Sequence, residues 1–366
     1  MKFVFSLLFM GLLLQAAAQH KLEPVFDPKE YGELLSLSFY RSSIADSAER
    51  LSKKDPYKME FQSPEAGFLN RWSLYLRDDN VAVIDMRGTV SQTTSWLANF
   101  YAAMIPATGS LQLNDSTVFD YQLAADPKAS VHVGWTISLG YLAPAIVKSI
   151  NAIYRDKKVK EFLLIGHSQG GALATLLRSY LEYEKKKGHV PADLILKTYC
   201  SASPKVGDTR YVYDFDYITR GGWAYTIVNA ADWVPETPFS IQTLADFHLP
   251  NPLINAKDYL RKQKFFVRLA GGMVYNKMER KPRKAQRKME KYLGHKMYTM
   301  AVKKVLPQLK EPKYVHSSNY MRAGIPIILM PDEEYNRLYP YDKDKVFMHH
   351  MFQPYYFLLK KIYFTR

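Results

Sequence analysis

The sequence predicts an α/β fold in which a mostly parallel central sheet carries helices on its faces. Short apolar runs alternate with helical stretches along the chain, as they do where crossover helices join parallel strands. One of these runs enters a Gly-x-Ser-x-Gly turn at 166–170 that opens directly into an apolar helix. With 366 residues, 47% of them apolar, the chain is long enough to bury a large core.

Five apolar runs have the length and composition of buried strands. They are residues 80–88, 161–166, 194–200, 223–229 and 325–330. Helical periodicity covers 138–156 and 171–187, and the second of these ends in three lysines, which the helix dipole favours. Residues 20–70 have the pattern of helical segments and loops that cover a core. In such a sheet we expect a catalytic site at the carboxyl ends of the strands.

The first 18 residues have the pattern of a cleavable export signal. Lys2 precedes an apolar run, residues 3–14, and three alanines at 16–18 supply the small residues that a signal peptidase requires. We therefore predict a mature domain of residues 19–366 in a secreted or periplasmic protein. A membrane anchor is the alternative, but the run is too short to span a bilayer comfortably. Cys200 is the only cysteine, so no internal disulfide is expected.

The charge of +15 is concentrated in one segment. Eighteen basic and four acidic residues lie between Lys257 and Lys313, and the rest of the chain is close to neutral. This basic, helical insert, residues 240–313, has three interpretations. It is a solvated helical excursion, a peripheral contact of residues 257–313 with an anionic membrane surface, or a nucleic-acid-binding element. An exported location argues against nucleic acid as a partner.

The serine of the Gly-x-Ser-x-Gly turn, Ser168, has the setting of a nucleophile. A hydroxyl attacks only when a base removes its proton. A strand-to-helix turn exposes such a serine, and the small neighbours Gly166 and Gly170 permit the close packing that the turn requires. The amide of Gln169 would then donate to an oxyanion, and a second donor is expected from Thr89, directly after the strand at 80–88.

Six short segments, in order along the chain, resemble the class 3 (fungal-type) triacylglycerol lipases of the α/β-hydrolase fold. They are MRGT at 86–89, SWLANF at 95–100, VHVGW at 131–135, GHSQGGALA at 166–174, SASPKVGD at 201–208 and VNAADWVPETPF at 228–239. Gln169 stands where the family usually has Leu. The resemblance covers roughly residues 75–240 and resumes near 320, and it implies an α/β-hydrolase fold with the basic insert before the last strand.

The resemblance also implies the remaining members of a catalytic triad, in the order Ser, acid, His. Asp232 matches the family's acid, whereas Asp208 matches a structural aspartate. The family's histidine stands a few residues ahead of a Tyr on the last helix, so that His350 fits best and His349 is the alternative. His132 and His167 precede the acid and are interpreted as structural. A lid would span residues 90–106, although packing of its apolar side chains in the core explains them equally well.

These residues predict an exported serine hydrolase that cleaves carboxylic esters of lipids through Ser168, Asp232 and His350, with Thr89 and Gln169 as oxyanion donors. No metal ion or organic cofactor is expected. Two alternatives remain. The same triad suits a phospholipase or a carboxylesterase of soluble esters, and a hydrolase-like fold without turnover would be a lipid- or membrane-binding protein. The sequence does not specify an oligomeric state.

Overall fold

The computed structural model describes residues 20–40 and 56–364. The predicted signal peptide, residues 1–18, lies outside the described residues and stays a prediction.

The strands and helices are numbered separately, in chain order. The strands are β1 Tyr57–Gln62, β2 Trp72–Arg77, β3 Ala82–Met86, β4 Met104–Pro106, β5 Thr108–Gln112, β6 Val118–Gln122, β7 Ser130–His132, β8 Glu161–His167, β9 Ile195–Ser201, β10 Ala224–Asn229 and β11 Ile325–Leu329. The α-helices are α1 Pro28–Tyr40, α2 Thr93–Phe100, α3 Val133–Lys157, α4 Gln169–Lys187, α5 Thr209–Ile218, α6 Ala256–Arg261, α7 Phe265–Met289, α8 Lys303–Val305, α9 Glu333–Leu338 and α10 Phe352–Tyr363.

Seven strands form the central sheet in the order β1-β2-β3-β8-β9-β10-β11. The pairs β1–β2 and β2–β3 are antiparallel, and every pair from β3 to β11 is parallel. The five strands expected from sequence are all present, and the mostly parallel sheet with helices between its strands confirms the predicted α/β-hydrolase architecture.

The amino-terminal part of the chain differs from its expected helices and loops. Helix α1 is present, but β1 and β2 add an antiparallel edge to the sheet. Strand β1 reads YKMEFQ and buries only Tyr57 fully. An edge strand of this kind lacks the apolar run by which the inner strands are recognised.

The two faces of the sheet bury separate apolar clusters. Along β8, Phe162 and Leu164 join the cluster under α3 and α4, whereas Leu163 and Ile165 join the cluster under α1 and α10. This alternation is the two-residue period of a strand covered on both faces. Helix α3 is long and apolar enough to cross a membrane, but 67% of its apolar window is buried inside the protein, as in a core helix.

The insert before β11 is helical, as the sequence indicates. Helices α6 and α7 are followed by two π-helical stretches, Glu290–Lys296 and Tyr298–Val302, and by α8. The π-helical part packs on the body of the protein, where an added Cβ on Gly294 would lie 2.9 Å from Ala103 Cβ. Helices α6 and α7 are more exposed.

Candidate active site

Ser168 occupies a strained turn between β8 and α4. Its backbone has φ 61° and ψ −128°, a conformation that residues other than glycine rarely adopt. The chain is tightly packed on both sides of the turn. A Cβ added to Gly166 would lie 2.1 Å from the carbonyl oxygen of Gly170, and one added to Gly170 would lie 2.0 Å from that of Met86. The two glycines are therefore required by space, and together they present Ser168 at the carboxyl end of the sheet.

Asp232, just past β10, is buried and holds His350. Its Oδ2 accepts hydrogen bonds from His350 Nδ1 at 2.6 Å and from the Tyr355 hydroxyl at 2.8 Å. Its Oδ1 accepts one from the amide of Val234 at 3.0 Å. Three donors thus orient a carboxylate that is only 3% exposed. Burial, and then the negative charge of Asp232, hold the pKa of Tyr355 well above its ordinary value, so that its hydroxyl stays a donor.

The contact with Asp232 decides which face of His350 is available for chemistry. Because Nδ1 donates to the carboxylate, neutral His350 keeps Nε2 as a free acceptor. His350 and Ser168 both line one cavity. Across residues 20–40 and 56–364 no hydrogen bond joins Ser168 Oγ to His350. Catalytic hydrogen bonds are often long before substrate binds.

His349 faces away from this arrangement. Its Nδ1 lies 2.7 Å from the Tyr335 hydroxyl, and its carbonyl oxygen accepts a hydrogen bond from Asn229 at 2.9 Å. Of the two adjacent histidines, the structure places only His350 on Asp232.

His167, the residue before the serine, supports His350 through the backbone. Its Nε2 lies 2.8 Å from the carbonyl oxygen of His350, and because a carbonyl only accepts, Nε2 carries the proton. Burial, and then the neighbouring His350, hold the pKa of His167 well below its ordinary value. Neutral His167 therefore accepts on Nδ1 from Ser201 Oγ at 2.9 Å, and Ser201 accepts from the Tyr31 hydroxyl at 2.7 Å.

The two predicted oxyanion donors lie on either side of Ser168. Thr89 follows Gly88, on which an added Cβ would lie 3.8 Å from Ser168 Cβ. Gln169 is the first residue of α4, where an amide has no partner within the helix. Both residues line the same cavity as Ser168.

The side chain of Gln169 builds a polar network that joins the turn to α2. Its Oε1 accepts from Asn70 at 3.0 Å, and its Nε2 donates to Asn99 Oδ1 at 2.7 Å and to the carbonyl oxygen of Ser95 at 3.2 Å. Asn99 in turn donates to Thr89 Oγ1 at 3.0 Å. Since Thr89 Oγ1 accepts this bond, its own hydroxyl hydrogen stays available for an oxyanion.

The cavity has a volume of about 780 Å³ and mostly apolar walls. Aromatic rings connect α2 to the loops that carry Asp232 and His350. Trp96 lies 5.6 Å from Phe347, and Phe347 lies 5.3 Å from Trp233, measured between ring centres. Such a cavity suits an apolar group attached to the ester.

The segment expected to form a lid divides between cavity and core. Trp96 and Phe100 line the cavity, and Phe100 is exposed. Tyr101, Met104 and Ile105 are fully buried in the core. The core-packing interpretation thus holds for residues 101–105, and a lid stays a prediction for the part that lines the cavity.

The remaining candidate residues have structural surroundings. Asp208 caps α5 by accepting from the amide of Tyr211 at 2.9 Å. His132 caps α3 and stacks on Trp135, and burial lowers its pKa to about 3. Cys200 is buried. Within the described part of the chain, no three His, Cys, Asp or Glu side chains are grouped to hold a metal ion.

One stretch of family similarity contains Ser168, Thr89 and Asp232. Residues 83–242 match the model of the class 3 lipases.

This stretch belongs to the class 3 lipase family.

Relatives of the class 3 lipase segment include two named enzymes. A triacylglycerol lipase, OBL1, from Ricinus communis is 23% identical over 195 residues, which cover 44% of this chain and 36% of the relative. A secreted mono- and diacylglycerol lipase from Fusarium solani is 26% identical over 170 residues, which cover 45% of this chain and 42% of the relative. The chain therefore spans well under two thirds of the length of either relative.

Among solved structures, that of the Rhizomucor miehei lipase with its propeptide is 21% identical. The similarity covers 58% of this chain and 62% of that chain, with a TM-score of 0.42.

Sequence reasoning missed the partners that orient the predicted residues. The Tyr on the last helix that places His350 in the sequence is Tyr355, and its hydroxyl contacts Asp232 directly. The side chains of Asn70 and Asn99 gave no signal of their own. The unusual Gln169 was the one available indication, because a buried amide at the head of a helix requires polar partners.

We expect Gln169→Leu to destabilise the protein by about 1–3 kcal/mol, since Asn70 and Asn99 lose their shared partner inside the fold. Urea unfolding measures the loss. The matched control is Gln122→Leu, which removes a partly buried amide that makes a single 3.5 Å hydrogen bond. Equal stability of the two variants would show that the network contributes nothing.

The two buried histidines predict a stability that depends on pH. His132 and His167 are neutral in the folded protein because burial depresses the pKa of each. A depressed folded pKa means that their stabilisation is fully present above the unfolded pKa of about 6.5 and is lost as the pH falls below it.

We expect the free energy of unfolding to decrease by up to about 1.4 kcal/mol per pH unit for each histidine between about pH 6.5 and 5. Urea unfolding at graded pH measures the slope. His167→Gln should reduce the slope. A stability that is flat over this interval would contradict the expectation.

Proposed function

We propose that the protein is a serine hydrolase that cleaves carboxylic esters of lipids. The observation that carries the proposal is the convergence of Ser168 and the Asp232–His350 pair on one apolar cavity. Two further features support it. Residues 83–242 belong to the class 3 lipase family, and the two relatives described above are named as lipases.

In the proposed reaction, Ser168 Oγ attacks the ester carbonyl while His350 Nε2 removes its proton. Asp232 keeps Nδ1 protonated and stabilises the imidazolium that forms. The amides of Thr89 and Gln169, with the Thr89 hydroxyl, bind the oxyanion at the start of α4, where the helix dipole favours negative charge. His350 then protonates the leaving alcohol. Water releases the acyl group by the same steps in a second half-reaction.

Secretion is part of the proposal. It rests on the predicted signal at residues 1–18 and on the named secretion of the Fusarium solani relative. The sequence also leaves open a protein without turnover that uses the fold only to bind lipid. The hydrogen bond between Asp232 and His350 supports turnover instead.

We expect Ser168→Ala and His350→Asn each to lower kcat by a factor on the order of 10⁴ or more, and Asp232→Asn to have an effect of about 10⁴. Ser168→Ala should also abolish labelling by a fluorophosphonate. The assay is hydrolysis of a p-nitrophenyl ester. His349→Asn is the matched control, because His349 contacts Tyr335 and lies off the cavity. If the two histidine variants exchanged their effects, His349 would be the base.

The apolar cavity predicts a preference for long acyl chains. Each methylene that enters it contributes about 0.8 kcal/mol, or roughly a fourfold increase in kcat/KM while the chain stays buried. A series of p-nitrophenyl esters of graded length, assayed below micelle formation, measures the trend. Highest activity on the acetate would instead identify an esterase of soluble substrates.

A further inference from the structure

Helices α6 and α7 form a hairpin, residues 256–289, that extends from the body of the protein. The helices run antiparallel. Lys257 Nζ lies 3.3 Å from Glu279 and over the ring of Tyr275, whereas Leu260 meets Gly271 further out. An added Cβ on Gly271 would lie 2.5 Å from Leu260 Cδ2, so glycine permits the helices to touch. The turn at 262–264 is therefore the outer end of the hairpin.

The first turns of α7 are mostly apolar and are exposed to solvent. Residues 265–270 are all exposed, and Phe266 is 80% exposed. Successive helical residues differ by about 100° in direction, so Phe265, Phe266 and Val267 point around the helix axis. Among residues 265–276 the only charged side chain is Arg268. A contiguous exposed apolar surface of this kind marks a site of contact with a protein or a membrane.

The second half of α7 and the residue pair beyond it are strongly basic. Residues 277–291 carry eight Lys or Arg and two Asp or Glu. We call this stretch the basic collar, and residues 265–276 the apolar end. At about 1.5 Å per residue, the apolar end is roughly 18 Å long, which is too short to cross a bilayer but long enough to enter one.

The π-helical stretch that continues from the hairpin reaches the wall of the cavity. Gln286 is buried, and Leu293, a few residues beyond it, lines the cavity and accepts a hydrogen bond from the amide of Ala103 at 3.3 Å. A membrane that binds the apolar end would therefore lie near the cavity, because the helix that carries the apolar end continues into the cavity wall.

We propose that the hairpin is a membrane anchor that lies along the surface of an anionic phospholipid bilayer, where the apolar side chains of the apolar end enter the boundary between headgroups and acyl chains while the basic collar, with Lys262 and Lys264 of the turn, binds the headgroup phosphates. Sequence alone indicated only charge attraction by residues 257–313, and the exposed apolar end adds insertion to it. The segment lies outside residues 83–242, which match the class 3 lipase family. Its use, delivery of lipid esters to the cavity, rests on the proposed function, but the binding itself does not.

The order of residues along α7 selects a bilayer over a protein partner. An apolar layer bordered by phosphate matches an apolar end bordered by a basic collar. A second copy of this chain fits poorly, because its apolar end would cover the apolar end of the first copy but leave both basic collars without an anionic partner. The apolar end requires an apolar partner and the basic collar requires an anionic one. An anionic membrane provides acyl chains and phosphates next to each other.

The test uses the mature chain with Ser168→Ala, so that hydrolysis does not alter the vesicles. Phe266→Cys supplies a site for the fluorophore NBD, and Cys200, which is 1% exposed, does not compete for the label. The probes are phosphatidylcholine vesicles with and without phosphatidylglycerol. We expect the NBD emission to shift to the blue, and to be quenched by doxyl lipids, with the anionic vesicles at low salt, and the response to weaken at high salt.

Vesicle flotation separates the two parts of the anchor. Phe265→Ser with Phe266→Ser should weaken partition at least roughly tenfold, because two phenylalanines no longer leave water. Lys284→Gln with Arg287→Gln and Lys288→Gln should reduce the preference for anionic lipid and its dependence on salt. The matched control replaces the exposed aromatic residues Tyr217 and Tyr341 by Ser, and should bind as the parent does.

Three results would overturn the anchor. They are an NBD signal that ignores anionic vesicles, equal partition of parent and Phe variants, and a blue shift without lipid that grows with protein concentration, which would identify a second copy as the partner. Hydrolysis is scored separately. With Ser168 intact, the Phe variant should retain full activity on monomeric p-nitrophenyl butyrate. Absence of that activity in the parent would reject the hydrolase while leaving vesicle binding to decide on the anchor.

Discussion

The tightly packed turn between β8 and α4 is the constraint on which the site depends. No side chain fits at Gly166 or Gly170, because carbonyl oxygens of Gly170 and Met86 occupy the space. The end of β3, the turn and the start of α4 are therefore fixed relative to one another to within the width of a Cβ. A left-handed serine costs on the order of 1–3 kcal/mol and persists only where its surroundings over-determine it. The two apolar clusters on either face of β8 supply that rigidity.

The sequence predicts the parts of the fold and the site that depend on short continuous segments. The inner strands, the turn at Ser168 and the loop of Asp232 each lie within a few residues, and their order along the chain carries the resemblance. The orientation of side chains depends on partners far apart. Asn70 contacts Gln169 across 99 positions, and Tyr31 reaches Ser201 across 170. The sequence leaves His349 and His350 as alternatives for the same reason, because only the direction of each side chain distinguishes two adjacent histidines. In the structure His350 contacts Asp232, whereas His349 contacts Tyr335.

His167 joins the proposed base, His350, to helix α1 through a chain of hydrogen bonds. From Tyr31 on α1, hydrogen bonds pass through Ser201 and His167 to the backbone of His350. A buried chain of this kind is rigid only when each member is satisfied, and the neutral state of His167 is what lets it accept from Ser201 while donating to the carbonyl of His350. Helix α1 contributes no reacting group in the proposed mechanism. It helps to hold the backbone of the proposed base in position. This is a structural reason for a histidine, rather than another residue, before the serine.

The cavity wall is built from residues inside and outside the stretch that matches the class 3 lipases. Ser168, Thr89 and Asp232 lie within residues 83–242, which the class 3 lipase family shares. Leu293, Phe347 and Met351 line the same cavity but lie beyond that stretch, and Leu293 belongs to the basic insert. Ser168 and Asp232 therefore lie in the stretch that matches the family, whereas His350, the proposed base, and part of the cavity wall lie beyond it. Because selectivity follows from the contacts made by the whole wall, the substrate of a relative that matches only the shared stretch does not determine the substrate here.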